Sequence, residues 1–507
     1  MGVQVEASAG RNLRASTWSI ARLGELLRAR HRSVCWVVAV AATACAAVSA
    51  ANRTLWFDEI FTWQIATRPS VRELVAALGP MDPSPPLHYL LVRGAHALFG
   101  TGELATRLPA LLSFLVTLVV LHRLAAPLAG PLFALVVAAA LPLTPAWYYA
   151  VEARPYAFLL ACSATSLLAW RAVASGAHRR VGFAGLLVSL TAALYAHFYA
   201  FLLFVPIAAG EAVRTWTRRR LDLGVWIVLA AAAGLALPLV PLVERCMAVR
   251  PTFWATPTLI RLGLALELFA SVVLVALMAA VLGLLARYFP SDAEAADDPP
   301  PAAAPAHEIA AAAALAALPL IAFVVARVAT NAYDGRYVLP ALLGALLLLA
   351  HASRWLRHRR TAVATVLLAA VCLLAGVRAA VDARRALTES FPTVPLPDHG
   401  PSLVAVANAF AFVETVHATP DAGERLVLLM DGLSQPDHPR TSPEISVLGL
   451  SALLALRVED SAAFVAAHDR FWVFDDTGQW AALLHARDTE RSHTVTVEPG
   501  GLQLWAR

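Results

Sequence analysis

Two adjacent carboxylates, Asp58 and Glu59, stand shortly after a membrane-length apolar run, Val34 to Ala51, with Trp56, Phe57, Phe61 and Trp63 around them. Tryptophan belongs at the membrane–water interface, where its ring is apolar on one side and wet on the other. Acids at that depth are costly unless paired or used, so the pair marks a functional site by default. Such an acid can take a proton from a substrate hydroxyl, hold a cation, or pair with Arg53. The plain structural alternative is that Asp58 and Glu59 cap a helix beginning at Ile60, whose first turn favours negative charge. A cap needs one acid, however, and here two sit among aromatics.

The elements that must position this pair follow from composition. The chain has 507 residues, 59% hydrophobic and 15% charged, with a mean hydropathy of +0.65. That excludes an ordinary soluble domain, whose apolar share is nearer half. Apolar segments of spanning length recur, and we expect an α-helical polytopic membrane protein with about 11 transmembrane helices. They fall at 34–51, 108–125, 130–148, 156–172, 181–196, 198–213, 223–242, 263–287, 308–328, 337–352 and 361–378. A signal peptide is the alternative for the first, with Arg28, Arg30 and Arg32 as its basic flank; its length and the ten further segments favour a retained helix.

With the N-terminus inside, nineteen arginines fall on cytoplasmic segments and eleven on external loops. The positive-inside rule supports that orientation. An odd number of spans then puts the C-terminus outside. The net charge of +5 reflects this topology and calls for no nucleic acid. Cys35, Cys45, Cys162 and Cys372 fall in spans and Cys246 stands alone in an external loop, so no disulfide framework is expected. No Cys or His spacing suggests a metal.

Four regions result: a cytoplasmic segment 1–33, a transmembrane catalytic domain 34–378, a cytoplasmic linker 290–307 within it, and an external domain 379–507. The linker is rich in Ala, Pro and acid and reads as flexible. The first external loop, 52–107, carries short interfacial helices. Ser70-Val71-Arg72-Glu73 is a capping box opening a helix to Leu78, and Pro85-Pro86 opens another over Leu87–Phe99. Glu103 and Arg107 are spaced for an i, i+4 pair. Too short to span, these helices suit the outer interface. The tail reads as a small α/β domain: strands at Arg425–Met430 and Phe471–Phe474, a short helix Trp480–His485, and a hairpin of Thr494–Glu498 and Leu502–Trp505 about Pro499-Gly500-Gly501.

Other residues with chemical potential lie at the outer ends of spans. Arg154 falls in Glu152-Ala153-Arg154-Pro155-Tyr156, as a phosphate ligand or as the partner of Glu152. Arg336 precedes Tyr337 near Asp334, as a ligand or a snorkelling arginine. Arg245 and Arg250 read as surface basicity. His88 and Tyr89 either line a groove or pack a helix. Tyr195, His197 and Tyr199 fit an aromatic belt, and Asp82 faces a cavity or a turn.

Several of these motifs together resemble the polyprenyl-phosphate-sugar glycosyltransferases of the GT-C superfamily, the protein O-mannosyltransferase and lipid A aminoarabinose transferase-like family. The resemblance rests on Asp58-Glu59 after the first span, Pro85-Pro86-Leu87-His88-Tyr89, and Phe99-Gly100 followed by Glu103 and Arg107-Leu108-Pro109. It rests also on Glu152 to Tyr156, and on Arg336-Tyr337 with Pro340. It covers roughly residues 34–350. It implies transfer of a sugar from a polyprenyl-phosphate donor to a glycan, lipid or protein hydroxyl on the external face of the cell (inner) membrane, generally with inversion. By position Asp58 matches the family's catalytic acid, with Glu59 beside it orienting either Asp58 or a donor sugar hydroxyl. Arg154, Glu152, Tyr156, Arg336, Tyr337, His88, Tyr89 and Asp82 are the candidate substrate-binding residues. A carboxylate serves as base within reach of the hydroxyl, and arginine suffices for a phosphate that leaves already ionised. Members differ on metal use; Asp58, Glu59 and Asp82 could hold a divalent cation, but the arginines make one unnecessary and none is expected.

The rival of another class is a transporter or flippase of lipid-linked sugar. Its binding groups would lie near the midplane on broken helices within internal repeats. Here they gather at span ends. A scaffold leaves the acids without purpose, and an oligosaccharide ligase is the nearer rival. The sugar and the acceptor are not written in the sequence.

Overall fold

The computed structural model describes residues 20, 22–79, 81–82, 84–248, 253–288, 305–356, 360–388, 393–398, 403–433, 442–454, 456–475, 494–498 and 502–506. Most of linker 290–307, Arg250, Pro499-Gly500-Gly501 and the segment Trp480–His485 lie outside them. The chain forms two compact units. The first comprises Met1–Asn52, Arg107–Val240 and Ala255–Leu387; the second comprises Arg53–Thr106, Pro241–Trp254 and Thr388–Arg507.

The first unit is helical. Among the described residues, seven helices are long and apolar enough to cross a membrane: His31–Asn52, Glu103–Ala129, Tyr156–Ser175, Phe198–Arg218, Leu223–Ala248, Leu259–Tyr288 and Arg360–Thr388. An eighth span results if Ala306–Ala316 and Leu318–Thr330, bent by 51°, count as one. The chain is a multi-pass membrane protein. The remaining expected spans are helical but shorter or broken: Pro131–Ala140 and Ala146–Ala150 are separated by a 3-10 turn at Leu141–Leu143, Arg179–Ala196 has 18 residues, and Ala341–Ala352 is compact. Cys246 lies in the helix Val240–Ala248 instead of a loop, because the apolar run Val240–Val243 continues past the break at Leu237–Leu239. All five cysteines are free.

Small residues let these helices approach closely, as expected where apolar burial alone does not separate protein from lipid. A Cβ on Gly182 would lie 2.7 Å from Val173 Cγ2 and 2.9 Å from the Ala169 carbonyl oxygen. One on Gly344 would strike the backbone at Ala316.

The second unit is α/β. Its six strands are β1 (Val404–Val406), β2 (Leu426–Met430), β3 (Val458–Asp460), β4 (Arg470–Phe474), β5 (Thr494–Glu498) and β6 (Leu502–Ala506), in the order β3-β2-β1-β4-β6-β5. The first four pair parallel, with Val404 opposite both Leu426 and Trp472; β6 joins β4 antiparallel, and β5 closes the edge. Parallel strands are buried on both faces, and β2 is buried throughout. Period-2 alternation divides the residues between two cores. Ala405, Val427, Phe471 and Val473 face one. Val404, Val406, Leu426, Leu428, Trp472 and Phe474 face the other, which also contains Leu55, Phe57, Ile60, Phe61 and Tyr89 of the first loop. The loop and the tail therefore share one hydrophobic core, although more than 300 residues separate them in sequence.

Candidate functional site

The acid pair sits in the first turn of the helix Phe57–Ala66. That helix starts three residues earlier than the sequence suggested, since Phe57 is drawn into the apolar core and takes helical geometry there. Glu59 is fully buried, and its Oε2 accepts the Trp56 N–H at 3.4 Å. Glu59 thus acts on the helix terminus, as the capping alternative required of one acid. Asp58 is half-buried, and its backbone carbonyl accepts the Thr62 hydroxyl at 3.2 Å. The two adjacent acids have different environments. A neighbouring helix, Ala409–Ala418, supplies Glu414, whose Oε1 accepts the Phe57 N–H at 3.0 Å. Burial pushes the Glu414 carboxyl above the usual carboxylate range, and the Phe57 N–H opposes part of that shift.

The helices of the first loop form as their capping signals require. Ser70 Oγ accepts the Glu73 N–H at 3.2 Å and opens Val71–Ala77. Leu87–Phe99 follows Pro86 and stops at Gly100, whose φ of 82° favours glycine. Tyr89 donates its hydroxyl to Asp82 Oδ2 at 2.7 Å, and Ser84 donates to Oδ1 at 2.6 Å. Both oxygens of Asp82 thus tie the turn to the following helix. Tyr89 and His88 are buried, their rings edge-on at 5.9 Å. Arg245 lies over the Gly79 turn of the same unit. Arg107 is fully buried in the first unit, where its guanidinium donates to the Ala50 carbonyl oxygen at 2.7 Å. Among the described residues no three His, Cys, Asp or Glu side chains gather as a metal ion would need.

In the first unit the structure brings together Tyr156, Arg336 and Tyr337, which are far apart in sequence. Pro155 precedes the helix Tyr156–Ser175, and Glu152 is buried in the turn before it, its carbonyl oxygen accepting the Arg154 N–H at 2.8 Å. Arg154 is half-buried beside it. Asp334 opens the 3-10 turn Gly335–Val338 by accepting the Arg336 N–H at 3.1 Å. The Arg336 guanidinium then lies 5.5 Å from the Tyr156 ring centroid and 5.8 Å from that of Tyr337, within cation–π range. Arg261 adds a second cation 3.6 Å from Asp334.

His197, Tyr199 and Tyr149 complete this cluster. His197 and Tyr199 lie 5.1 and 5.0 Å from the Tyr337 ring, and Tyr149 lies 5.1 Å from Tyr156. The Tyr199 hydroxyl bonds Thr330 Oγ1 at 2.7 Å and the Ala332 carbonyl oxygen. These rings face one another, where an aromatic belt would face lipid. The signal was present in His197-Phe198-Tyr199, which breaks the helical run into a 3-10 turn over Phe198–Leu203. Tyr195, by contrast, donates to the Leu235 carbonyl oxygen at an exposed site.

A second arginine cluster was not legible as such. Arg179 grips Asp222 with two nitrogens at 2.9 and 3.0 Å; Arg214 reaches Asp222 at 3.0 Å and Glu211 at 2.8 Å. Trp170 donates its indole N–H to Glu211 at 3.1 Å, and Arg171 pairs with Glu308 at 3.1 Å.

Residues 83–243 match the family model for dolichyl-phosphate-mannose-protein mannosyltransferases. That segment holds Pro85-Pro86-Leu87-His88-Tyr89, Glu103, Arg107 and Glu152 to Tyr156. The family resemblance read from these motifs is borne out there. Asp58-Glu59 and Arg336-Tyr337 lie outside the matched segment. No curated protein matches the chain. Among solved structures, ArnT from Cupriavidus metallidurans in the apo state is 15% identical, over 92% of this chain and 97% of that one, with a TM-score of 0.42. The same protein bound to undecaprenyl phosphate is 16% identical over the same shares, with a TM-score of 0.41. A likeness this low places no residue of this chain in a site.

Proposed function

We propose that the protein is a membrane glycosyltransferase that moves a sugar from a polyprenyl-phosphate donor to an acceptor hydroxyl on the external face, with inversion. The observation that carries this reading is the family match over 83–243, the segment that contains the Glu152–Tyr156 motif. Two arrangements support it. The half-buried Asp58 stands in the first turn of its helix, at the position the family resemblance gives the catalytic acid, beside a fully buried Glu59 that accepts the Trp56 N–H. Arg336, braced by Asp334 between two tyrosine rings, is a planar cation held for a phosphate, with Arg154 as its companion. A phosphate bound by arginine forks leaves as an anion and needs no acid. In this proposal eleven spans place the acid helix and the tail outside the inner membrane, and no metal takes part. A fluorescent reporter that lights only in the cytoplasm, fused after Arg507, then stays dark.

The deciding experiment is Asp58→Asn in purified protein. The amide keeps shape and hydrogen-bonding reach but cannot take the proton, and general-base catalysis is worth about 10²–10⁴ in rate. The variant should insert normally, bind the polyprenyl-phosphate sugar and lose nearly all transfer, while Glu59→Gln does less harm per folded molecule. Near-parental transfer by Asp58→Asn would return the acid pair to a purely structural role.

A further inference from the structure

The acid helix has an unusual beginning. The first N–H groups of any helix lack intrahelical acceptors, and a Ser, Thr, Asp or Asn at the preceding position commonly supplies one. Here that position holds Trp56, whose indole is a donor only. A cap side chain would serve the second or third helical N–H; the N–H of the first residue, Phe57, is accepted by Glu414 of the tail, at 3.0 Å and buried. The helix that carries Glu414 runs alongside the acid helix. Phe410 packs on Phe57 at 4.3 Å between ring centroids, and His417 meets Trp63 edge-on at 5.1 Å. Val394 then ties its N–H to Thr415 Oγ1 on the same tail helix at 2.8 Å. The tail helix thus touches the acid helix at its first residue and again two turns of its own length further on.

We propose that Glu414 is a positioning residue for Asp58. By taking the Phe57 N–H it fixes the first turn of the acid helix, and so the direction from which the carboxylate one residue later meets the acceptor hydroxyl. This rests on the reading of Asp58 as general base. The role is geometric: Glu414 accepts a hydrogen bond, and an uncharged acceptor of the same length can replace it. Misplacing a catalytic group by about 1 Å can cost up to roughly a hundredfold in rate.

The test uses the full-length protein in nanodiscs. The donor is whichever of undecaprenyl-phosphate mannose, glucose or aminoarabinose the parental protein turns over, and a total membrane glycolipid extract is the acceptor. Glu414→Ala should lower kcat per folded molecule about ten- to a hundredfold with the donor KM unchanged. Glu414→Gln, whose amide oxygen still accepts the N–H, should restore most of it. A merely structural residue would reduce the folded fraction and leave kcat per folded molecule alone, and that result overturns the proposal. Asp58→Asn, measured in parallel, separates the two readings. If it abolishes transfer while Glu414→Ala is parental, only the positioning role falls; if Asp58→Asn itself transfers normally, the base assignment falls and this inference with it. Should Glu414→Ala not fold, Phe410→Ala decides, because that ring is 41% exposed and its removal does not open the core. A several-fold loss of kcat at unchanged KM supports positioning, and parental kcat refutes it.

Discussion

Two arginine clusters in the first unit surround the same residue type with different neighbours. Around Glu211 the charges balance: Arg179 and Arg214 face Asp222 and Glu211, and the polar hydrogens of Trp170 and Arg214 meet carboxylate oxygens. Around Asp334 two arginines, Arg261 and Arg336, share one carboxylate, and the surroundings of Arg336 are tyrosine faces. A neutralised network holds helices together. In the proposed reading, a cation held against tyrosine faces is the group that meets a phosphate. The two clusters differ in what surrounds the guanidinium, carboxylates in one and tyrosine rings in the other, and under the proposed function only the second meets the donor.

That contrast breaks in graded ways. The largest effect belongs to the neutralised network. Removing one partner of a buried pair typically costs about 3–5 kcal/mol, because the other charge is left uncompensated. Glu211→Ala should therefore lower the unfolding temperature sharply, with transfer per folded molecule retained. Thermal unfolding and active-site-normalised kinetics together check this, and unchanged stability would mean that the network contributes nothing. Next comes the cluster around Asp334. Arg336→Ala and Arg154→Ala should each raise the donor KM and lower turnover about ten- to a hundredfold, the size of a lost charge-assisted contact of about 1.5–3 kcal/mol, with little change in stability. Lysine at either position should rescue only part, since the fork is lost. Parental kinetics in both alanine variants would make these arginines structural, and the comparison would collapse.

Smaller again is Tyr199→Phe. It loses the hydroxyl bonds to Thr330 and Ala332, worth about 1 kcal/mol in total stability, yet keeps the ring against Tyr337. A calorimetric shift with nearly unchanged donor KM is expected. The smallest effect is a pH dependence in the second unit. The folded Glu414 carboxyl titrates above its ordinary value of 4.5, so between those two points the folded state holds more protons than the unfolded one. Its contribution is present at low pH and is lost as pH rises through the raised value. His417 has the opposite sign: burial lowers it from 6.5, so stability grows as pH rises through the lowered value towards 6.5. Glu414→Gln should leave the rise due to His417 and remove the fall due to Glu414, as read from denaturant midpoints across a pH series.

Much of this was legible from the chain. Helices in the first loop start and stop where Ser70, Pro86 and Gly100 say they should, because capping is local chemistry. Strands β2 and β4 follow from short runs of apolar β-formers. Tyr156, Arg336 and Tyr337 stand out in the sequence at the outer ends of spans, and the structure gathers them. What stayed hidden depends on contacts between distant residues. Glu211 and Asp222 look like stray acids near a basic flank until the helices pack. Tyr199 looks like a belt residue until the 3-10 turn rotates it inward. Trp56 before the acid helix gives no sign that the Phe57 N–H finds its acceptor at residue 414. Asp82, which the sequence leaves between a cavity and a turn, accepts two short hydroxyl bonds from Ser84 and Tyr89.

The bond from Phe57 to Glu414 also sets a clock. The chain is made from its N-terminus, and 357 residues separate the donor from its acceptor. At about 5–20 residues per second, the acid helix waits roughly 20 to 70 seconds after leaving the ribosome before its first N–H can find its partner. Through that interval the spans insert and the arginine-bearing turns are made, while the carboxylate pair still lacks the support that aims it. If Asp58 is the base and Glu414 aims it, a nascent or truncated chain inserts without being able to react, and competence arrives with the last quarter of the sequence.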